Sequence, residues 1–162
     1  MGAAPSVTIS GSPVSFPNLA LKAYTGQIDT QDIREELTRQ WNSFVDETGQ
    51  LPSHIDGHQH VHQLPSIREA IVQHIIELPE AEWPYIRVCK EYSGSIWRRG
   101  LDPMRSQVFS LAANKLCHLA GENGIRVNNG FSGIYNFDPA RDYATLFEQF
   151  LSEVESGALV LC

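Results

Sequence analysis

Helix-like and strand-like stretches alternate along this chain from Thr30 to its last residue, and that alternation constrains the fold more than any other feature. Thr30 can cap a helix in which Ile33, Leu37, Trp41, Phe44 and Val45 recur at three- and four-residue spacing, with Gly49 to end it. A short strand over residues 53–57 follows. Pro65 then suits the first turn of a second helix that carries Ile67, Ile71 and Ile75 on one face. Residues 85–89 read as a strand, 91–103 as a long loop, and Val108, Ala112, Leu116 and Leu119 as a third helix closed by Gly121. A strand at 125–128, a polar glycine-containing loop at 130–139, and a helix marked by Leu146, Phe147, Phe150, Leu151 and Val154 come next. An apolar strand at 158–162 is last. Residues 1–28 are rich in Ser, Pro and Gly and predict irregular chain with one short strand at 7–9. The order αβαβαβαβ predicts an α/β fold with a parallel sheet and right-handed crossovers, either a (β/α) barrel or an open sheet.

In both architectures ligands gather where strands end and loops begin. The distinctive polar groups of this chain fall at such places: His58 to His62, Lys90-Glu91, and Asn128 to Ser132. The first group belongs to the segment His54-Ile55-Asp56-Gly57-His58-Gln59-His60-Val61-His62, which holds four of the six histidines. His54, Asp56, His58, His60 and His62 all occupy even positions, so in an extended strand all five would project to one side. Imidazole nitrogens and a carboxylate suit Zn²⁺, Ni²⁺ or Fe²⁺, zinc being the commonest. Catalytic sites hold about three protein ligands, so the remaining candidates would orient ligands or move protons. The competing reading is a solvated histidine loop without function. His74 and His118 stand alone and read as an ordinary core or surface residue.

Composition narrows the partners. A 162-residue chain can bury one real core, and 42% hydrophobic with 19% charged residues describes an ordinary soluble domain. The net charge of −7 lacks the basic footprint that nucleic acids or anionic membranes require. There is no apolar run of about 18 residues to span a bilayer, and Met1-Gly2-Ala3-Ala4-Pro5 lacks the regions of a signal peptide. Cys89, Cys117 and Cys162 are odd in number and widely spaced, which predicts reduced thiols and a cytoplasmic setting, with Cys89 and Cys162, at strand ends, read as packed thiols. Trp97-Arg98-Arg99 could offer an aromatic face and two donors to a sugar, or be a loop tied down by its own Trp. Gly130-Phe131-Ser132-Gly133 lacks the phosphate-loop pattern and reads as a pocket wall.

The histidine segment followed by Pro65 resembles the signature of the YdjC-like carbohydrate deacetylases, which include chitooligosaccharide and hopanoid-biosynthesis deacetylases. The resemblance continues through Arg87-Val88-Cys89, through the run Asn129 to Tyr135, and into Leu159-Val160-Leu161-Cys162, covering the chain from about Gly11 onward. It implies a distorted parallel (β/α) barrel, incomplete in this chain, forming a single domain over residues 1–162. It also implies a divalent metal, zinc or magnesium, and hydrolytic removal of an N-acetyl group from an amino-sugar substrate. By position His58 matches the metal ligand. His54 and Asp56 are implied to support it, His60 and His62 to take part in catalysis or support it, and Arg87, Phe131 and Ser132 to contact substrate. A metal of this kind would polarise the acetyl carbonyl and activate a bound water, with a carboxylate base and a histidine acid moving protons.

The chain also departs from that pattern. The family's Asp-Asp stretch has no counterpart, the first acidic residue being Asp29. Gly11-Ser12-Pro13 fits a Gly-x-Pro element, yet no histidine precedes it, and the chain stops at Cys162 where a His-Pro is expected. Two of three ligands implied by the resemblance are thus missing, which predicts a polypeptide cut short at both ends, or a degenerate homologue, with little or no activity alone. Two further readings stand beside the deacetylase. One is another metallohydrolase of the His-x-His type, which predicts ligands at later strand ends, where Asn128 and Cys162 are poor candidates. The other is a non-catalytic, partner-dependent half-barrel, for which a homodimer would be the sign.

Overall fold

A computed structural model describes residues 15–136, 138 and 140–152, together with the backbone of short strands at 8–9, 12–13 and 158–160. The chain divides into two compact units, Met1–Pro84 and Tyr85–Cys162.

In the first unit β1 (Thr8–Ile9) and β2 (Ser12–Pro13) pair antiparallel, Thr8 opposite Pro13. Residues 16–24, expected to be irregular, form α1 (Phe16–Tyr24). Pro17 at the start of the helix costs no hydrogen bond there, and Leu19 and Ala23, one turn apart, are buried together on one face. α2 (Thr30–Thr48) is capped by Asp29 rather than Thr30, the Asp29 carboxylate accepting from the Gln31 N–H at 2.8 Å. It ends at Gly49, whose φ of 67° is the left-handed cap anticipated there. Its apolar stripe does not enter a filled core. Ile33 is buried, but Leu37, Trp41 and Val45 are half-buried and Phe44 is exposed. α3 (Ile67–Ile76) buries Ile67, Ile71 and Ile75 as the spacing predicted, with Ala70 and Val72 beside them. The Arg34 guanidinium donates to both Glu77 oxygens at 2.6 and 2.7 Å, clipping α2 to α3 at the surface. Pro65, expected in the first turn, lies two residues ahead of the helix, before the N-cap Ser66.

The second unit begins with β4 (Tyr85–Ile86), where Ile86 bridges Val127 in parallel and its N–H donates to the Arg126 carbonyl. The segment 85–89 was expected to be one strand, and its regular pairing stops after Ile86. From there the Asn128 side chain replaces backbone: its Oδ1 accepts from the Val88 N–H at 2.7 Å, and its Nδ2 donates to the Val88 carbonyl at 2.9 Å and the Gly130 carbonyl at 2.5 Å. For the same reason the strand expected at 125–128 reduces to the bridge at Val127. Regular pairing instead occupies β5 (Gly130–Ser132), in what read as loop, against β6 (Ala158–Val160), in parallel, with Phe131 opposite Leu159. The expected loop at 91–103 contains α4 (Ser93–Arg99), closed by Gly100 at φ 65°. Trp97 on it is exposed, so the segment is not tied down by its own Trp.

α5 (Pro103–Glu122) starts earlier than its apolar spacing suggested and runs through Gly121. It buries Phe109, Ala112, Ala113, Leu116 and Ala120, whereas Val108, expected inside, faces out. α6 (Tyr143–Leu151) is capped by Asp142, which accepts from the Thr145 N–H, and buries Leu146 and Phe150 against Leu101. Val154 and Cys162 lie outside the described residues. The described chain is therefore α/β, mostly helical, with a small parallel sheet. Among the described residues the strands are two or three residues long and close no barrel. None of the described helices is long and apolar enough to cross a membrane.

Candidate functional site

The histidine segment does not run on as a strand. β3 (His54–Ile55) is followed by extended Gly57 and then by two tight 3₁₀ turns over His58–Gln63. The turns are held by the His60 N–H donating to the Gly57 carbonyl and the Leu64 N–H donating to the Val61 carbonyl. Gln59 and His60 take φ of 52° and 64°, and Ser66, at the exit, also 64°. These are three of the four non-glycine residues in the left-handed region among the described residues. Each such residue costs on the order of 1–3 kcal/mol, and strain of this kind collects at ligand and active sites. The alternation that would have set five donors on one face is lost after Gly57.

His62 is what folds the segment back. Its ring is buried, and its Nδ1 accepts from the Gly57 N–H at 3.0 Å, with an Asp56 oxygen 3.9 Å away. With Nδ1 occupied as acceptor, the ring proton sits on Nε2, and neither nitrogen keeps a lone pair for a metal. Gly57 is required by this close approach, since a Cβ there would lie 2.6 Å from His62 Nδ1 and 2.8 Å from its backbone nitrogen. We expect Gly57→Ala to destabilise the protein by about 1–3 kcal/mol, seen as a lower urea midpoint, and to disturb the His62 ring nitrogen resonances. An unchanged midpoint would show that the turn yields without cost.

The other members sit outside this knot. His54 and His58 are exposed, Asp56 keeps 40% of its side chain in solvent, and His60 is half-buried. Ser53 Oγ lies 3.0 Å from His54 Nδ1. Among the described residues no three histidine, cysteine, aspartate or glutamate side chains converge as a metal site would demand. The segment by itself therefore does not fit a resident divalent metal.

It does form one wall of a cavity of about 630 Å³ in the first unit. The opposite wall is α2, where Ile33, Leu37, Trp41 and Phe44 face the space that a core would fill. Glu36 and Gln40 stand beside them and were not singled out from the sequence. Their four-residue spacing on the same helix was the available signal. The Glu36 carboxylate accepts from Arg39 at 2.6 and 2.7 Å and from Gln40 at 2.7 Å. The Arg39 hydrogen bonds hold Glu36 below the ordinary carboxylate range, against a smaller opposing effect of burial. His74 completes the lining from α3, edge-on to Trp41 with ring centroids 5.5 Å apart. Burial lowers the His74 pKa, the Glu77 charge opposing and Arg34 adding to the effect. His118, by contrast, is the surface residue it was expected to be, 3.1 Å from Glu122.

The residues read as substrate contacts lie in the second unit and are buried. Arg87 stacks over Phe131 at 5.5 Å and donates to Cys89 Sγ at 3.2 Å. Ser132 is 1% exposed, and its Oγ accepts from Arg99 at 2.9 Å. Arg99 also donates to Glu91 in a buried ion pair and lies over Phe150, so the inward member of Trp97-Arg98-Arg99 is a packing residue. Cys89 is a buried thiol, as expected, and Cys117 is half-buried. Asn128 spends its amide on Val88 and Gly130, which removes it as a later ligand for a His-x-His metallohydrolase.

The histidine segment lies within the stretch of chain that a known protein family covers. The family model described as YdjC-like protein matches residues 5–162, and the chain belongs to this family. A carbohydrate deacetylase of Danio rerio is 44% identical over 50 residues, 31% of this chain and 16% of that protein. A chitooligosaccharide deacetylase of Yersinia enterocolitica is 46% identical over 46 residues, 28% of this chain and 18% of that protein. A carbohydrate deacetylase of Homo sapiens is 42% identical over 48 residues, 30% and 15% of the two chains. The chain thus spans less than a fifth of the length of these curated relatives. No solved structure matches it.

Proposed function

We propose that this chain carries part of a carbohydrate deacetylase site, presenting His54, Asp56 and His58 as one wall for an N-acetylated amino sugar in a distorted (β/α) barrel setting. The observation that carries the reading is the strained, His62-anchored turn that keeps His58 exposed at a cavity, in a member of a family whose relatives are named as carbohydrate deacetylases. The bent segment separates roles that an extended strand would have merged. His62 holds the turn, so of the residues assigned to catalysis only His60 keeps a proton-transfer role, beside the exposed His58. Arg87, Phe131 and Ser132 are buried against their own neighbours and would act on substrate by shaping the second unit, not by direct contact.

Hydrolysis of an amide at neutral pH needs an activated water, and the described residues do not assemble the three donors that a catalytic metal uses. Acetate release by this chain alone is therefore expected to be negligible. Sugar recognition is the testable part. Adding N,N′-diacetylchitobiose should shift the imidazole resonances of His54 and His58 more than the fully deacetylated sugar does. His58→Ala should weaken that binding about fivefold, the loss of one hydrogen bond. Equal responses to the two sugars, or full affinity in His58→Ala, would sink the assignment.

A further inference from the structure

α5 carries apolar residues on two sides, and the core of the second unit takes only one of them. Phe109, Ala112, Ala113, Leu116 and Ala120 are buried. On the outer side Met104, Val108 and Leu111 keep 71%, 59% and 58% of their surfaces exposed. Scattered exposed apolar residues need no explanation, but these three follow one another at four- and three-residue steps and form a single stripe. That alternation of steps is the one by which two helices pack along a shared seam. A helix that is apolar on both sides belongs between two packing partners.

The ends of the stripe point to what covers it. Met104 and Leu111 lie almost equally far from Val108 along the helix, on either side of it. Asp102 and Lys115 flank them, again at almost equal distances from Val108. Lys115 is exposed, and Asp102 stands at the N-cap in the left-handed region, φ 47°, with a carboxylate that makes no capping hydrogen bond. Neither joins an ion pair among the described residues. A second copy of this helix, antiparallel about a two-fold axis at Val108, sets Met104 against the other copy's Leu111 and brings Lys115 level with its Asp102. The stripe is thus complementary to itself in apolar surface and in charge, as an isologous contact requires. A parallel copy would instead oppose Asp102 to Asp102 and Lys115 to Lys115.

We propose that the outer face of α5 is a contact between two copies of this chain, paired antiparallel along Met104, Val108 and Leu111 with an Asp102–Lys115 ion pair closing each end. The surface is a helix seam, and not the open sheet edge of a half-barrel. The apolar seam supplies the affinity, while the exposed ion pairs fix direction and register. One helix pair makes a contact at the small end of specific interfaces, so the dimer is a weak one. It uses the second unit alone and needs neither sugar nor metal, so it stands or falls separately from the deacetylase reading.

Sedimentation equilibrium of the full chain should show a dimer that dissociates at about 1–100 μM. Val108→Glu places two like charges face to face at the axis and should weaken association by about a hundredfold or more. Its helix content by circular dichroism should stay unchanged, because residue 108 faces solvent in the single chain. Asp102→Lys and Lys115→Asp each set like charges opposite one another at both ends, and each should weaken self-association about tenfold. Mixed in equal amounts, these two variants should recover the parent affinity as a heterodimer, since each supplies the charge that the other lacks. That recovery requires the antiparallel register, and a dimer formed through another face would not show it. A chain that stays monomeric at ~1 mM, a dimer indifferent to Val108→Glu, or charge variants that fail to recover on mixing would overturn the proposal.

Discussion

Glu91→Ala is expected to cost about 3–5 kcal/mol of folding stability, because it leaves the Arg99 guanidinium buried without its counter-charge. Glu91 and Arg99 keep 2% and 5% of their side-chain surfaces, so solvent cannot take over the solvation of either charge. Arg99 is held by three further elements: it donates to Ser132 on β5, lies over Phe150 of α6, and closes α4 just before Gly100. The Glu91 backbone is fixed as well, its N–H donating to Ser110 Oγ at 3.1 Å while that hydroxyl donates back to the Glu91 carbonyl at 2.8 Å. The pair therefore joins β5, α4, α5 and α6 through one point. Urea unfolding of the parent and variant should show the loss as a fall in midpoint at constant slope. The double exchange Glu91→Leu with Arg99→Met should recover most of it, since the cost lies in an orphaned charge more than in a missing attraction. A loss below about 1 kcal/mol in Glu91→Ala would mean that water reaches Arg99 after all.

Asn128→Ala should cost about 2–4 kcal/mol, through the backbone groups it leaves unpaired. One primary amide here does the work of a strand residue, accepting from the Val88 N–H while donating to the Val88 and Gly130 carbonyls. Val88 is fully buried, so water cannot replace these partners. Asn128→Asp should fare no better, because a carboxylate can still accept from the Val88 N–H but faces two carbonyls with no proton to give. Amide hydrogen exchange localises the effect: protection at Val88 should fall by about two orders of magnitude, while α2 and α3 in the other unit keep theirs. Unchanged protection at Val88 would show that the amide only decorates a pairing maintained by something else.

Much of this was legible in the residues themselves. The period of the apolar positions in α2, α3 and α6 is a local property, and so are the left-handed glycine that ends α2 and the buried isoleucine face of α3. The histidine segment announced its family and its place at the end of a strand. Local pattern does not continue where a side chain captures the backbone. Even spacing in 54–62 implies a common face only while the backbone stays extended, and one close contact between residues five apart decides otherwise: Gly57 has no Cβ, so His62 can close onto its N–H. Strand limits at 85–89 and 125–128 failed for a related reason, since nothing local says that the Asn128 side chain, 40 residues from Val88, will take over the ladder.

The sequence by itself determined that α2, α3, α5 and α6 are helical, that the fold is α/β, and which family the chain belongs to, because periodicity and motif are properties of neighbouring residues; α1 and α4 it did not show. Only the tertiary structure decided that the apolar stripe of α2 faces a cavity, that His62 is a scaffold for the turn, and that Arg87 and Ser132 are packed inside. Those outcomes depend on what lies across from each residue in space. A side chain's role as ligand, anchor or packing is set by the partners that reach its polar atoms, and the order of residues along the chain does not list them.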